Sequence, residues 1–103
     1  GKENYKSPEV VNKKKYFNAK ANDIWCAGIC LFMMILGSAP FNKASKKDAS
    51  FMEIIENRII NLIDHWDRLN YVTLEIIELL MKILKYENKR CSLKEIIEHS
   101  WMK

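Results

Sequence analysis

Ile24-Trp25-Cys26-Ala27-Gly28-Ile29-Cys30-Leu31-Phe32-Met33-Met34-Ile35-Leu36 is an apolar run without a charge or a proline. Residues of this kind predict a helix, and Gly37 followed by Pro40 supplies its stop. The run is shorter than the ~20 residues of a bilayer crossing, and Gly37, Ser38 and Pro40 interrupt the chain just beyond it. It therefore reads as a buried core helix and gives no membrane span.

Outward from that helix the chain stays helical. Asn42 to Ser50 reads as a loop, after which Phe51, Ile54, Ile55, Ile59 and Ile60 recur at helical spacing. A second loop, His65 to Tyr71, leads to Thr73, a candidate N-cap for a helix with Ile76, Ile77, Leu80, Ile83 and Leu84 along one stripe. Ser92-Leu93-Lys94-Glu95 is a capping box opening a short helix with Ile96 and Ile97 inward. Upstream, Gly1 to Ala21 is polar, and Pro8 with Lys13, Lys14 and Lys15 opposes regular structure. No repeat and no strand-like alternation occurs, so the expected fold class is mainly α. A helix apolar all round must be covered on every side, yet the later helices each offer a single stripe. The remainder of its surface is expected to pack on chain beyond this sequence or on a second molecule, giving self-association through exposed apolar faces.

Size and chemistry narrow the function. A chain of 103 residues builds one small domain. The net charge is +4, and the Lys13–Lys15 run, with no aromatic pair alternating through it, reads as a solvated loop rather than a nucleic-acid site. Cys26, Cys30 and Cys91 form an odd set without disulfide spacing, which implies a reducing, cytoplasmic compartment. No His accompanies Cys26 and Cys30, and His65 and His99 sit in no ligand motif, so no metal site is expected. The opening Gly-Lys-Glu-Asn is not a signal peptide. Gly1, Gly28 and Gly37 are too far apart for a phosphate-cradling loop. His65-Trp66-Asp67 lacks the Asn that a phosphoryl-transfer loop requires downstream, and Glu75 with Glu78 reads as a solvated helix-surface pair. No catalytic residue is expected within this chain.

Three stretches in order carry a resemblance. Gly1-Lys2-Glu3-Asn4-Tyr5-Lys6-Ser7-Pro8-Glu9 resembles the G-T-x-x-Y-x-A-P-E end of a protein kinase activation segment. Asp23-Ile24-Trp25-Cys26-Ala27-Gly28, then Gly37-Ser38-Ala39-Pro40-Phe41, resembles D-x-W-x-x-G and G-x-x-P-F of the central large-lobe helix. Arg90, Glu95 and His99-Ser100-Trp101 resemble the closing R-x-x-x-x-E-x-x-x-H-x-W. The chain thus resembles the C-terminal half of the large lobe of a eukaryotic protein kinase domain: the end of the activation segment and following loop over residues 1–21, then about four helices over residues 22–103. The Lys, Asn and Ile content suits an AT-rich genome such as an apicomplexan's, and Gly-Lys with Ser-Pro-Glu resembles the FIKK kinases of that group, which implies export into a host cell.

The resemblance implies a role for each matching residue. Glu9 and Arg90 pair as a buried clamp, since a guanidinium fork fits a carboxylate with two parallel hydrogen bonds. Asp23 lies at the start of the apolar helix and, without the catalytic loop, has lost a partner. Trp25 packs under the activation segment, Gly28 permits close helix approach, and Lys2 and Tyr5 belong to the substrate platform. Implied too are a serine/threonine kinase parent, ATP and Mg2+ as that parent's cofactors with neither bound by this chain, a protein substrate, and the N-terminal part of the kinase domain as partner. By itself the chain should be inactive. Lys2 stands where serine/threonine kinases usually carry Thr, Ser7 replaces Ala, and Met33 is neutral where basophilic kinases hold Glu. These departures keep open the alternative of a pseudokinase or docking lobe acting as a binding module.

Overall fold

A computed structural model of the protein describes residues 2–99 and 102. Ser100 and Trp101 of the closing motif lie outside the described residues. Those that are described form helices and turns and no strand, the mainly helical class expected.

The apolar run is the core of helix α2 (Ala19–Leu36, 18 residues). It starts earlier than Ile24, because the Asn18 side chain accepts the Ala21 N–H at 3.0 Å and caps the first turn. Asp23 accordingly sits in the second turn and not at the helix start, so the terminus is satisfied by Asn18 instead. Gly37 closes α2 in the left-handed region, at φ 79°, with its N–H donated to Met33 O. At this length α2 meets the length and hydropathy of a membrane-crossing helix. However, Trp25, Ile29 and Phe32 are fully buried along one face, which makes it the hub of the packed core.

The first stretch is more ordered than its polarity suggests. A 3-10 turn spans Lys2–Tyr5 and packs on α2, and helix α1 covers Pro8–Val11. Pro8 opens that helix instead of preventing it, because its fixed φ suits the first position, where no N–H is needed. The expected boundary between residues 21 and 22 therefore falls inside α2.

The apolar series from Phe51 to Ile60 is two helices, α3 (Ala49–Ile55) and α4 (Ile59–His65). Asn57 breaks them at φ 66°, a conformation that Asn tolerates better than most residues. The Asp48 carboxylate caps α3 through Phe51 N–H and also takes the N–H groups of Asn42 and Lys43. Phe51 and Phe41 meet edge to face at 5.4 Å, and Trp25 lies 6.0 Å from Phe41.

Helix α5 (Leu74–Ile83) follows Thr73, whose hydroxyl caps Ile76 N–H. Ile76, Ile77, Leu80, Ile83 and Leu84 are buried as one stripe, joined by Leu79. Helix α6 (Leu93–Glu98) opens with the reciprocal Ser92–Glu95 capping box. Ile96 is half-buried, but Ile97 is 57% exposed and does not point inward. So short a helix at the margin of the bundle presents only one side to the core.

Candidate functional site

The polar centre of the molecule is Arg90. Its side chain is fully buried, and so is almost all of Glu9. The two Arg90 terminal nitrogens donate to the two Glu9 carboxylate oxygens at 2.7 and 2.8 Å, the bidentate geometry of a guanidinium fork. Arg90 also donates to Ala21 O at 2.8 Å and to Lys85 O at 3.1 and 2.9 Å. Its guanidinium carbon lies 5.1 Å from the Trp25 ring centre, a cation–π contact. One side chain thus ties α1, the first turn of α2 and the chain leaving α5. Burial by itself raises the Glu9 carboxyl. Hydrogen bonds from Arg90 and the backbone, with the Arg90 charge, outweigh that and hold it below the ordinary carboxylate range.

Around this pair the segment Lys2–Glu9 is laid onto α2. Ser7 is fully buried and donates its hydroxyl to Asn22 Oδ1 at 2.6 Å. Tyr5, exposed at the end of the 3-10 turn, has its carbonyl 3.5 Å from Cys26 Sγ. Lys2 belongs to the same turn, and its side chain lies outside the description. Trp25 is enclosed completely, and among the described residues neither its Nε1 nor Asn4 Oδ1 has a hydrogen-bond partner.

Gly28 faces α5. A Cβ built there would lie 2.3 Å from Ile83 Cγ2 and 3.2 Å from Leu84 Cδ2, so the two helices approach where a side chain would stand. On the side of α2 away from the buried Trp25, Ile29 and Phe32, Asp23, Ala27, Cys30 and Met34 are exposed, Met34 at 81%. With Leu31, Ile83 and Ile96 they line an open apolar groove of about 790 Å³. None of the described residues hydrogen-bonds the Asp23 carboxylate.

Two further ties made by charged side chains escape the sequence reading. Glu87 receives the Lys14 ammonium and, at 2.7 Å, the Asn18 N–H, fastening the loop before α2 to the chain after α5. The Lys14 hydrogen bond, then that of Asn18, holds its carboxyl below the ordinary range. Arg68 donates to Leu36 O at 2.5 Å, satisfying a terminal carbonyl of α2 with a cation where the helix dipole favours one. A charge in a loop gives no periodic signal, and these partners lie 69 and 32 positions away.

The interactions of this centre hold the segment Lys2–Glu9 against the helices. Among the described residues no three His, Cys, Asp or Glu side chains are grouped to hold a metal ion. Gly28 and Gly37 belong to a helix interior and a helix end, not to a phosphate loop.

Comparison with known proteins places this arrangement. The protein kinase domain family model matches residues 1–102. The serine/threonine-protein kinase CHK1 of Saccharomyces cerevisiae is 33% identical over 99 residues, which is 95% of this chain and 18% of that protein. An Aurora kinase of Eremothecium gossypii is 31% identical over 99% of this chain and 25% of its own length. The serine/threonine-protein kinase SRK2F of Arabidopsis thaliana is 33% identical over 94% of this chain and 27% of its own. The chain therefore spans about a fifth to a quarter of the length of these relatives.

Proposed function

The chain belongs to the protein kinase domain family, and from that premise we propose that its parent is a serine/threonine kinase moving the γ-phosphoryl of ATP to a protein hydroxyl. The observation carrying this reading is the buried Glu9–Arg90 fork, which fastens the segment ending in Ser7-Pro8-Glu9 to the helices. The serine/threonine kinases among the relatives support the hydroxyl class. Phosphoryl transfer depends on positioning and charge stabilisation. The parent's ATP and Mg2+ are held by residues outside this chain. The chain's part is to hold Lys2 and Tyr5 beside the protein substrate, with Glu9 and Arg90 as clamp and Asp23, Trp25 and Gly28 as scaffold. We place the parent in a reducing, cytoplasmic compartment on the strength of three unpaired cysteines. The Lys-, Asn- and Ile-rich composition supports an apicomplexan source, with export to a host cell in the FIKK case.

Lys2, at a position where such kinases usually carry Thr, favours a second reading: a pseudokinase or docking lobe that binds partners without transfer. Incubating the parent with γ-labelled Mg-ATP and a protein acceptor tests the choice. Label on serine or threonine supports the first reading. Nucleotide binding without transfer selects the second. The 103-residue chain alone should transfer nothing, and labelling by it would overturn the scaffold assignment.

A further inference from the structure

The loop between α1 and α2 exposes what a loop normally hides. Tyr16 and Phe17 stand in solvent side by side, 77% and 44% exposed. Lys13 is held at φ 56°, a left-handed conformation unfavourable for a residue with a side chain. The loop is nevertheless fixed. The N–H groups of Lys13 and Lys14 donate to Val10 O and Glu9 O, both at 3.0 Å, and Glu87 grips the Lys14 ammonium and the Asn18 N–H. The Lys15 ammonium sits 5.6 Å from the Tyr16 ring centre. Immediately upstream, Val11 and Asn12 form one wall of a cleft of about 430 Å³, with Lys43, Ser45 and Lys47 on the other. The acid lining that cleft, Asp48, is occupied by the N–H groups of Asn42, Lys43 and Phe51. The ammonium groups of Lys13, Lys15, Lys43 and Lys47 ion-pair with no described residue.

We propose that this cleft is a docking surface for an acidic protein segment, its carboxylates on Lys43 and Lys47, with the Lys13–Phe17 loop that follows Asn12 in sequence offering Lys13, Lys15 and the Tyr16 and Phe17 rings as further contacts. Lys13, Lys15, Lys43 and Lys47 outnumber the single Asp48 carboxylate, so the surface is net positive, attracts a segment of opposite charge and steers its approach. Exposed aromatic rings supply the apolar anchor typical of protein interfaces, and a pre-fixed loop loses little entropy on binding. A concave cleft favours a peptide over a lipid surface, since a carboxylate side chain enters it and a flat bilayer does not. In the kinase reading the segment belongs to a substrate or regulator, but docking is measured without ATP, so its failure is distinct from a failure of phosphotransfer.

The probe is a fluorescent peptide of alternating glutamate and leucine, titrated with the 103-residue chain at low salt and followed by anisotropy. Lys43→Glu with Lys47→Glu should weaken binding by about tenfold or more and create affinity for the matching lysine–leucine peptide. Lys82→Glu with Lys94→Glu, an equal charge change elsewhere, should stay within about twofold of the parent. Circular dichroism establishes that both variants fold. The charge-swapped gain is a readout that mere destabilisation does not produce. Equal losses in the two double variants would overturn the proposal, as would binding to phosphatidylserine vesicles in preference to the peptide.

Discussion

Replacing Glu9 by Ala should be among the most damaging single changes in this chain. It leaves the Arg90 cation in a fully buried position without its counter-charge. Breaking a buried ion pair costs about 3–5 kcal/mol. Arg90 keeps its donations to Ala21 O and Lys85 O, which puts the expected loss near the lower end, about 3 kcal/mol. At roughly 4–8 °C per kcal/mol for a domain of this size, Tm falls by roughly 12–24 °C. Glu9→Gln keeps one acceptor but turns an amide NH2 toward the guanidinium, for a smaller loss of about 2 kcal/mol. The pH dependence separates charge from shape. The folded Glu9 carboxyl is held below its ordinary value, so the unfolded chain takes up the proton first as pH drops. Its stabilisation is complete above the unfolded pKa of about 4.3 and disappears as pH falls through the lower folded value. Glu9→Gln should flatten that acid limb while leaving the neutral-pH loss in place. Thermal unfolding followed by circular dichroism from neutral pH into the acid range measures both. A Glu9→Ala variant within about 1 kcal/mol of the parent, or an unchanged acid limb in Glu9→Gln, would refute the clamp as a major source of stability.

Gly28→Ala drives a methyl into Ile83 and should cost about 1–3 kcal/mol by overpacking, despite the helix propensity gained. Ile83→Leu, which lacks the clashing Cγ2, should restore part of that loss in urea unfolding. Thiol labelling followed by mass spectrometry should find Cys30 fastest, because it is exposed. Cys26 and Cys91 should lag, as burial pushes both thiols up. Met34→Asp places a charge in the apolar groove and should shift sedimentation toward monomer, whereas an unchanged profile would remove that groove from any self-association.

Local chemistry is readable wherever a short motif governs a short stretch. Thr73 and Ser92 act as caps, Gly37 ends α2, and the stripe from Ile76 to Leu84 lies inward. Sequence and structure part where pattern and backbone diverge. The isoleucines around Asn57 keep helical spacing across a left-handed residue, so periodicity alone runs two helices together. Hydropathy places the start of α2 too late, because it marks where a helix becomes buried, while Asn18 marks where it begins. Ile97 shows the converse, an apolar side chain left 57% exposed at an edge. For the site, Glu9 and Arg90 are 81 positions apart, and only a family pattern associates charges so distant. Glu87 and Arg68 belong to none of the three kinase-like motifs, and only the fold brings them to their partners.

The five donations of Arg90 have a dynamic consequence. Because they end on α1, on the opening turn of α2 and on the exit from α5, no one of these can loosen without leaving a buried cation short of acceptors. Their amide protons should therefore exchange as one cooperative opening and not as three independent frayings.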